Sequence, residues 1–494
     1  MSDKEGVADI EKDESVWEEI SHCLFGRKEI LTAYDEITEQ NIREVLNQSL
    51  IVHEYNRAQI DFLWRYMRGE QPILFKKKTV RPEINNRICE NHASEVTEFT
   101  SGYFAGEPIT YVRRGDRPAA AAAIDSLNNA MAFENRATHD KEMATWMAVC
   151  GVGYRMVLPD NGMDLEDEAP FYLDTPDPRT TFVVYNNGFG HKRMMGVRIV
   201  FQMRAPSVWD ILYCGYTRTH YFEVKNGSLQ KWVPHSLGDI PIFEFRLNTA
   251  MMGAFEPAVP LLDALNRVQS GRLDGLEQYV QSFLKFKNCE LAEGQDVSDI
   301  GKLGAIFFKN ADGMDSDVSL ISQELNQSQT QELVDYLYSQ VLTICGLPST
   351  TKGGRSTSDT GSAVFLRDGW SQAELKARGT EMLYKKADKD CLRLILRIMR
   401  TKDPDFDLKL GEVEPKFTRR QHDNLQSKVQ ALTGMLQAGI SPEVAIATSG
   451  LFNDPQDVYE QSREYMHKWD YVPLAPVEER PENADSEEVN ADDQ

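Results

Sequence analysis

LNQSQTQELVDYLYSQVLTICGLPSTTKGGRSTSDTGS, residues 325–362, places a helix directly before a loop that has nothing to bury. Apolar residues recur three or four positions apart from Leu333 to Leu342, which predicts one amphipathic helix over 325–345. Gly346 and Pro348 end that helix. Residues 349–362 contain no aliphatic or aromatic side chain, so we expect a mobile surface loop.

A long basic helix is expected after the loop. About forty residues, 363–402, contain no proline and would span roughly 60 Å as a helix. They carry ten Lys and Arg against five Asp and Glu, in a chain of net charge −23. A bend is expected at Gly369 or Gly379. Two interpretations of the charge remain open: the cations pair with acidic neighbours on the surface, or the helix lies near a polyanion.

Length and composition indicate several folded domains. At 494 residues the chain is too long for one core, and 41% of its residues are hydrophobic. It has no apolar run of membrane-spanning length and no signal-like N-terminus, so we expect a protein made and used in the cytoplasm. Seven widely spaced cysteines form no CxxC pair, which indicates buried free thiols. They are Cys23, Cys89, Cys150, Cys214, Cys289, Cys345 and Cys391.

Acidic charge is concentrated at the two ends of the sequence. Residues 1–20 carry a net charge of −6 and residues 471–494 a net charge of −7, which leaves −10 of the total −23 on the body. Both ends are typical of disordered acidic tails. A conventional duplex-binding protein has a basic body, because its affinity comes largely from neutralised phosphates. The composition argues against that class.

Helical patterns precede strand patterns along the first half of the chain. Two amphipathic helices are expected between residues 29 and 67, the second over 49–66, and further helices over 84–104, 119–131 and 136–150. From residue 154 the period becomes strand-like, and Asn226-Gly227 predicts a hairpin turn. The expected strands are 109–112, 154–158, 171–173, 181–185, 197–201, 219–224, 229–233 and 242–246. This order predicts an α+β fold with an antiparallel sheet.

Two long, half-apolar helices enclose a small insert. Glu256 and Pro257 start a helix that is expected to reach Phe286, and residues 287–323 separate it from the helix over 325–345. The insert has strand patterns at 289–291, 305–308 and 318–321. The sequence therefore predicts a two-helix stalk with a β-rich tip.

Three short helices are expected after Pro404. Thr418 and Gln421 predict a capping box for the first, which ends at Gly439, and prolines 442 and 455 start the other two. A DNA-reading helix-turn-helix has similar spacing. Residues 419–468 hold only five Lys and Arg against six Asp and Glu, which argues against DNA reading.

The sequence lacks the common catalytic motifs. It contains no GxxxxGK[ST], HExxH, GxSxG or Cys/His metal spacing. His53 is interpreted as packing on a helix surface. The acidic pairs Asp164 with Asp167 and Asp174 with Asp177 stand in turn-rich surroundings, so turn formation explains them better than a metal site. We predict no catalytic residue, no cofactor and no metal.

The order of these features resembles the portal proteins of tailed bacteriophages, in particular the SPP1-type siphophage portal family. Four stretches carry the resemblance: RICENHASEVTEFTSGYFAGEPITY (87–111), GDIPIFEFRLN (238–248), FEPAVPLLDALNRVQSGRLDGLE (255–277), and the helix, loop and long helix of 325–402. It extends from about residue 38 to about residue 471 and consists of ordered segments, not of a catalytic signature.

The resemblance implies a portal architecture. It divides the chain into an acidic tail (1–27), a wing (28–255), a first stem helix (256–286), a clip (287–323), a second stem helix (324–345), a tunnel loop (346–362), a long wing helix (363–403), a crown (404–470) and a second acidic tail (471–494). The DNA-facing part of the tunnel loop would be Ser349, Thr350, Thr351, Lys352, Gly353, Gly354, Arg355, Ser356, Thr357 and Ser358. Only Lys352 and Arg355 are cationic there.

The resemblance also implies function and partners. Family members form a dodecameric ring at one capsid vertex of the virion, assembled in the bacterial cytoplasm, through which double-stranded DNA is packaged and later ejected. The implied partners are further copies of the chain, the terminase large subunit, head-completion or adaptor proteins, and the major capsid and scaffolding proteins, with no membrane. The alternative is an enzyme of the packaging apparatus, a nucleotide-driven motor or a nuclease. The absence of a Walker A motif favours the conduit.

Overall fold

The chain forms two compact units, Met1–His422 and Asp423–Gln494. The computed structural model describes residues 25–79, 81–115, 117, 119–160, 168–205, 208–280, 283–287, 289–291, 308–310, 317–321, 327–348, 369–419, 425–452 and 455–466. The two predicted acidic tails, 1–27 and 471–494, lie outside these residues, except for positions 25–27 of the first tail.

Helices and strands alternate in blocks, as an α+β fold requires. The helices are α1 (Ile42–Met67), α2 (His92–Ala105), α3 (Ala119–Phe133), α4 (Arg136–Cys150), α5 (Val259–Val280), α6 (Gln327–Cys345), α7 (Trp370–Lys402), α8 (Leu425–Gln437), α9 (Pro442–Ser449) and α10 (Pro455–Met466). The strands are β1 (Ile30–Thr32), β2 (Thr110–Arg113), β3 (Val152–Pro159), β4 (Phe171–Asp174), β5 (Thr181–Asn186), β6 (Arg193–Ala205), β7 (Val208–Thr217), β8 (His220–Lys225), β9 (Ser228–Pro234), β10 (Ile242–Arg246), β11 (Phe283–Lys287), β12 (Cys289–Leu291), β13 (Phe308–Asn310), β14 (Asp317–Ile321) and β15 (Val413–Lys416).

A six-stranded sheet in the order β1-β5-β6-β7-β8-β9 is the largest of the first unit. Only the β1–β5 pair is parallel. The first half of α1 covers one face, where Ile42 and Leu46 pack into the same core as Phe182 and Val197. Asn226 and Gly227 adopt φ of +50° and +73° between β8 and β9, the left-handed pair that a tight hairpin turn needs, so the predicted turn is confirmed.

The centre of the first unit lies where α7 crosses a three-stranded sheet, β10-β3-β4. Phe171, Phe245 and Tyr384 are fully buried there, together with side chains of α3 and α4. Strand β15 follows α7 and pairs with β2, which ties the end of this helix to the start of α3. Helix α7 therefore packs inside the fold along its C-terminal half.

The stalk region agrees with the sequence prediction in its two helices and differs at one boundary. Helix α5 ends at Val280, not near Phe286, because Phe283–Lys287 forms strand β11 and pairs with β14. The sequence FLKFK alternates apolar and basic residues, a period that suits a strand. Strands β12 and β13 form a second pair in the same insert.

Two further expectations, one for residues 29–67 and one for His53, were wrong, and one strand was missed. Residues 29–67 contain one helix, α1, preceded by β1, instead of two helices. Strand β7 was not predicted, since VWDILYCGYT is apolar at nearly every position and has no clear alternation. His53 is buried at 2% exposure instead of lying on a helix surface: its Nε2 lies 3.2 Å from the Arg179 carbonyl, and burial lowers its pKa to about 4.

The second unit contains the three short helices expected from the sequence, α8 to α10. Gly439 has φ of +82° just after α8, and Gly450 has φ of +62° just after α9, so both helices end at a glycine in the left-handed region. Gln421, part of the predicted capping box, lies outside the described residues.

Candidate functional site

The predicted DNA-facing residues, 349–358, lie outside the described residues, and the structure instead describes both ends of that loop. Its first end is Gly346, with φ of +72°, directly after α6. Its second end is Gly369, with φ of +83°, directly before α7. Glycine stops one helix and precedes the next, because only glycine adopts these angles without strain. Gly369, where a bend in one long helix was expected, directly precedes the described helix α7.

Helices α6 and α7 meet at the base of the loop. The ammonium group of Lys376 donates a hydrogen bond of 2.6 Å to the carbonyl of Ile344, in the last turn of α6. A Cβ atom at Gly346 would lie 2.7 Å from Cδ of the same lysine. The last turn of α6 and the second turn of α7 are therefore in contact, on either side of residues 349–368.

Aromatic and ionic contacts hold the first turns of α7 against α2. The ring of Trp370 lies 5.9 Å from that of Phe99 and 6.0 Å from that of Tyr103. The carboxylate of Glu374 accepts hydrogen bonds from the Tyr103 hydroxyl at 3.0 Å and from Arg419 at 3.1 Å. Burial alone would raise the pKa of Glu374, but its arginine partners outweigh that effect and lower it. The loop therefore starts from a base with defined side-chain contacts.

An open apolar groove of about 500 Å³ runs along this base. Helices α2, α6 and α7 contribute most of its lining, which includes Phe99, Tyr103, Ile344, Cys345, Met382 and Leu383. Ile344 is 42% exposed and Met382 is 74% exposed at its rim. Such a concave apolar surface is suited to receive apolar side chains.

Helix α5 is held by a row of buried polar side chains. Asn266, Ser270 and Asp274 are spaced by four and accept hydrogen bonds from the backbone N–H groups of Glu90 (2.8 Å), Ile88 (2.9 Å) and Asn86 (2.7 Å). Residues 86–90, just before α2, therefore lie alongside α5, and every second backbone N–H group bonds to one of these three side chains. Polar residues four apart on a mainly apolar helix are the sequence signal by which this row could have been found.

Asp274 also pairs with two lysines of the basic run 76–78, Lys76 and Lys78. The ammonium groups of these lysines lie 2.9 and 3.4 Å from its carboxylate. Burial would raise the pKa of Asp274, but the hydrogen bonds from Lys76 and Asn86 lower it to about 2. These cations hold α5 in place and are not free for a ligand.

Helices α5 and α6 pack side by side and leave apolar side chains exposed. Arg272 donates to Gln331 across the pair at 2.7 Å. Leu276 is 47% exposed and Tyr336 is 61% exposed, and Leu333 and Ile344 are also exposed. These two helices therefore leave apolar surface uncovered within one copy of the chain.

The middle of α7 is fixed by a buried charge cluster. Asp388 on α7 and Asp140 on α4 lie between the guanidinium groups of Arg136 and Arg155, with all four side chains at most 4% exposed. Tyr384 donates to Asp140 at 2.6 Å. Burial would raise the pKa of Asp140, but the two adjacent arginines outweigh it and lower the pKa. Charges this deep require partners, so the cluster links α7 to the sheet and to α4.

The basic residues of α7 mostly have partners inside the protein. Three pair with carboxylates of the same helix: Arg378 with Glu374 (2.7 Å), Lys385 with Glu381 (2.9 Å) and Arg393 with Asp390 (2.9 Å). Arg397 and Arg400 donate to the backbone carbonyls of Leu237 and Leu408. Of the two interpretations left open by the sequence, these contacts favour pairing within the protein over a polyanion; the three carboxylates lie on α7 itself, and the C-terminal half of the helix is not on the surface but packs inside the fold.

The described residues offer no catalytic metal centre: no group of three His, Cys, Asp or Glu side chains among them could hold an ion. Asp174 pairs with Arg198 and Asp177 with Arg179, both at 2.6 Å. Asp164 and Asp167 lie outside the described residues. Within the part of the chain that the structure describes, no helix is long and apolar enough to cross a membrane. Cys150, Cys345 and Cys391 are buried free thiols, while Cys89 and Cys214 are partly exposed.

Comparison with known proteins gives one family and a set of distant structures. The model of the phage portal proteins, SPP1 Gp6-like, matches residues 48–470. A chain from the neck of an empty GTA particle, computed with C6 symmetry, is 13% identical with a TM-score of 0.43, and the match covers 73% of this chain and 90% of that one. A chain from the virion of a native gene transfer agent (GTA) particle is 12% identical with a TM-score of 0.41, covering 80% and 94%. No curated protein sequence matches.

Proposed function

The chain belongs to the phage portal proteins of the SPP1 Gp6-like family, and from this premise we propose that its copies close into a dodecameric ring whose channel carries double-stranded DNA. A portal protein is a structural component of the capsid vertex. Packaging and ejection through one channel require that the protein surround DNA without binding it tightly.

The observation that carries the proposal is the base of the loop. Helices α6 and α7 meet there through Lys376 and Ile344, so residues 349–368 connect two helices that are in contact. A segment attached in this way can extend from the body without disturbing its core. Residues 349–358 are the part proposed to face DNA, with Lys352 and Arg355 as its cations.

Charge supports a conduit over a DNA-gripping protein. Each neutralised phosphate adds a salt-dependent contribution to DNA affinity, and this affinity would oppose sliding. The chain has a net charge of −23, and the basic residues of α7 are largely engaged within the protein. The basic stretch on α7 is therefore largely unavailable to retain the duplex.

We assign the parts of the chain accordingly. Residues 28–255 and 363–403 form the wing, 256–282 and 324–345 the stem, 283–323 the clip, 346–362 the tunnel loop and 404–470 the crown; the clip starts at 283 instead of 287 because Phe283–Lys287 is strand β11. The strand pairs β11–β14 and β12–β13 support a clip that is distinct from the stem helices. The proposed partners are the terminase large subunit and later head-completion proteins, with the capsid and scaffolding proteins around the ring, first in the bacterial cytoplasm and then in the virion.

The mass and rotational symmetry of the purified protein test the ring. Native mass spectrometry and electron-microscope class averages should give a closed ring of about twelve copies with an axial hole. A compact dimer would contradict the proposal.

Deletion of residues 352–359 tests the loop. The deleted chain should assemble into the same ring, because these residues follow the base and do not form it. DNA packaging or retention should be impaired. Failure to assemble would mean that the segment is structural, and normal packaging would mean that it does not act on DNA.

The enzyme alternative is tested by ATP hydrolysis and DNA cleavage. We propose that the chain has neither activity, since it lacks a Walker A motif and no group of three His, Cys, Asp or Glu side chains among the described residues could hold a metal ion for DNA cleavage. DNA-stimulated ATP hydrolysis by the purified chain, at a rate that persists through a second purification step, would overturn this.

A further inference from the structure

Two strands of the large sheet extend past their neighbours as an arm. Strand β5 pairs with β6 only as far as Arg198, and β8 pairs with β7 only as far as Leu212. Beyond those points β6 and β7 pair only with each other, up to Ala205 and Val208. We name residues 200–205 and 208–211 the arm.

One face of the arm is apolar and uncovered. Phe201 lies opposite Ile211 and Met203 lies opposite Trp209, so the four side chains share one face. Their exposed fractions are 46%, 40%, 62% and 45%. The opposite face carries Gln202, which is exposed, and Asp210, which is paired with Lys225 at 2.8 Å.

The apolar face of the arm continues a face that is covered elsewhere in the sheet. On β6, Val197 is fully buried in the core beneath α1, and Ile199 is 6% exposed. The next residues with the same orientation, Phe201 and Met203, are exposed because α1 does not reach them. The pattern is that of a core surface that lacks its covering layer, and not of scattered surface residues.

An uncovered arm of this kind is unfavourable on its own. A two-stranded ribbon is marginally stable in water unless a further layer covers its apolar face. The four side chains leave on the order of 300 Å² of apolar surface, which equals the largest patch on many monomers. A ring of copies would supply the missing layer at a fixed position.

We propose that this apolar face packs into the groove at the base of the loop on the adjacent copy of the chain, an inference that rests on the proposed ring. A ring needs a heterologous contact, in which two different surfaces of the same chain meet. Among the described residues the arm is an apolar protrusion, and the groove is an apolar concavity of about 500 Å³. Within a single copy they do not meet, since no arm residue lines the groove.

This contact gives the arm a role at the loop. The groove is lined by Ile344 in the last turn of α6 and by Ala373 and Lys376 in the first two turns of α7, the two helices on either side of residues 349–368. An arm seated there would hold α6 and α7 of the next copy together at the base of its loop. Each copy would thereby fix the base from which its neighbour's loop projects.

A photocrosslinking experiment tests the contact. Trp209 is replaced by p-benzoylphenylalanine, an aromatic substitute, and isotopically heavy and light chains are co-assembled so that inter-copy crosslinks join one heavy and one light peptide. Irradiated rings should yield crosslinks from position 209 to peptides of α2, α6 or α7 in another copy. The matched control places the same photoreactive residue at Gln202, on the polar face of the arm, where crosslinks to these helices should be absent.

Assembly gives an independent measurement. Trp209→Gln should require at least about tenfold more protein to form rings, as expected when a central aromatic contact is removed. Gln202→Ala should assemble as the unaltered chain does. Circular dichroism of the unassembled chains verifies that both variants fold.

The outcomes separate this inference from the proposed function. Rings with crosslinks to other surfaces of the chain, or to a capsid or scaffolding protein, would overturn the arm contact and leave the ring intact. Rings that form equally well with Trp209→Gln would overturn it as well. If the unaltered chain forms no ring in solution or in capsids, the proposed function fails, and this inference fails with it.

Discussion

Removing the charge of Asp140 should destabilise the first unit more than any surface substitution on α7. This carboxylate is 2% exposed and accepts from Arg136 Nε at 3.1 Å, from Arg155 Nη2 and from the Tyr384 hydroxyl at 2.6 Å. Asp140→Asn keeps the shape of the side chain but removes its charge. The buried guanidinium groups of Arg136 and Arg155 are then left with Asp388 as their shared carboxylate.

The magnitude follows from the number of partners. Breaking a buried ion pair by removing one member costs about 3–5 kcal/mol, because the remaining charge stays buried without compensation. Tyr384→Phe removes one hydrogen bond to the same carboxylate and should cost about 1–3 kcal/mol. Glu381→Gln, on the same helix, removes a more exposed carboxylate that pairs with Lys385 and Arg419 and should cost about 1 kcal/mol or less.

Urea unfolding at one fixed protein concentration measures these differences. With an m value of about 3 kcal/mol/M, a loss of 4 kcal/mol lowers the midpoint by roughly 1.3 M. The expected order of destabilisation is Asp140→Asn, then Tyr384→Phe, then Glu381→Gln. If Asp140→Asn shifts the midpoint no more than Glu381→Gln does, the cluster does not hold α7 and the reasoning is refuted.

Three further predictions concern single positions. Gly346→Ala should lower the free energy of unfolding by about 1 kcal/mol, because φ at this position is +72°. Gly379→Ala lies inside α7 with open space around its Cβ position and should raise the free energy of unfolding by up to about 1 kcal/mol. Urea titrations in which both variants change the free energy in the same direction would contradict this. The free energy of unfolding should fall as the pH is lowered from 6.5 to 4, and His53→Gln should make this fall smaller. That loss is worth up to about 3 kcal/mol, because the unfolded state binds the proton near pH 6.5 and the folded state only near pH 4; a flat wild-type profile would refute it. Asp274→Asn should speed amide hydrogen exchange at Asn86, and unchanged exchange would show that this contact does not order the segment.

Local periodicity was sufficient for most helices and for the fold class. The helix over 136–150 and the strand over 242–246 have the bounds that the sequence predicted, and Asn226-Gly227 forms the predicted turn. Each of these signals lies within the element itself, in residue spacing or in the backbone preference of glycine and asparagine. The resemblance to portal proteins likewise came from ordered local segments, and the family match over residues 48–470 confirms it.

Pairing between segments far apart in the chain could not be predicted from local residue spacing. Strand β1 has three residues and exists because β5, about 150 residues later, supplies its ladder of hydrogen bonds. Phe283 extends the apolar pattern of α5, but residues 283–287 become a strand because β14 pairs with them. The basic run at Lys76 and Lys78 shows no partner in sequence, since Asp274 lies nearly 200 residues away.

The sequence by itself determined the order of helices and strands, the glycines that end them, the acidic ends and the absence of common catalytic motifs, because each depends on neighbouring residues or on simple counts. Tertiary structure alone decided that the two helices beside residues 349–368 meet at one base, that four buried charges fix α7, and that β6 and β7 extend as an arm with one uncovered apolar face. These features depend on contacts across hundreds of residues. Their free energy comes from burial and from charge pairing, and neither is fixed until the chain has folded.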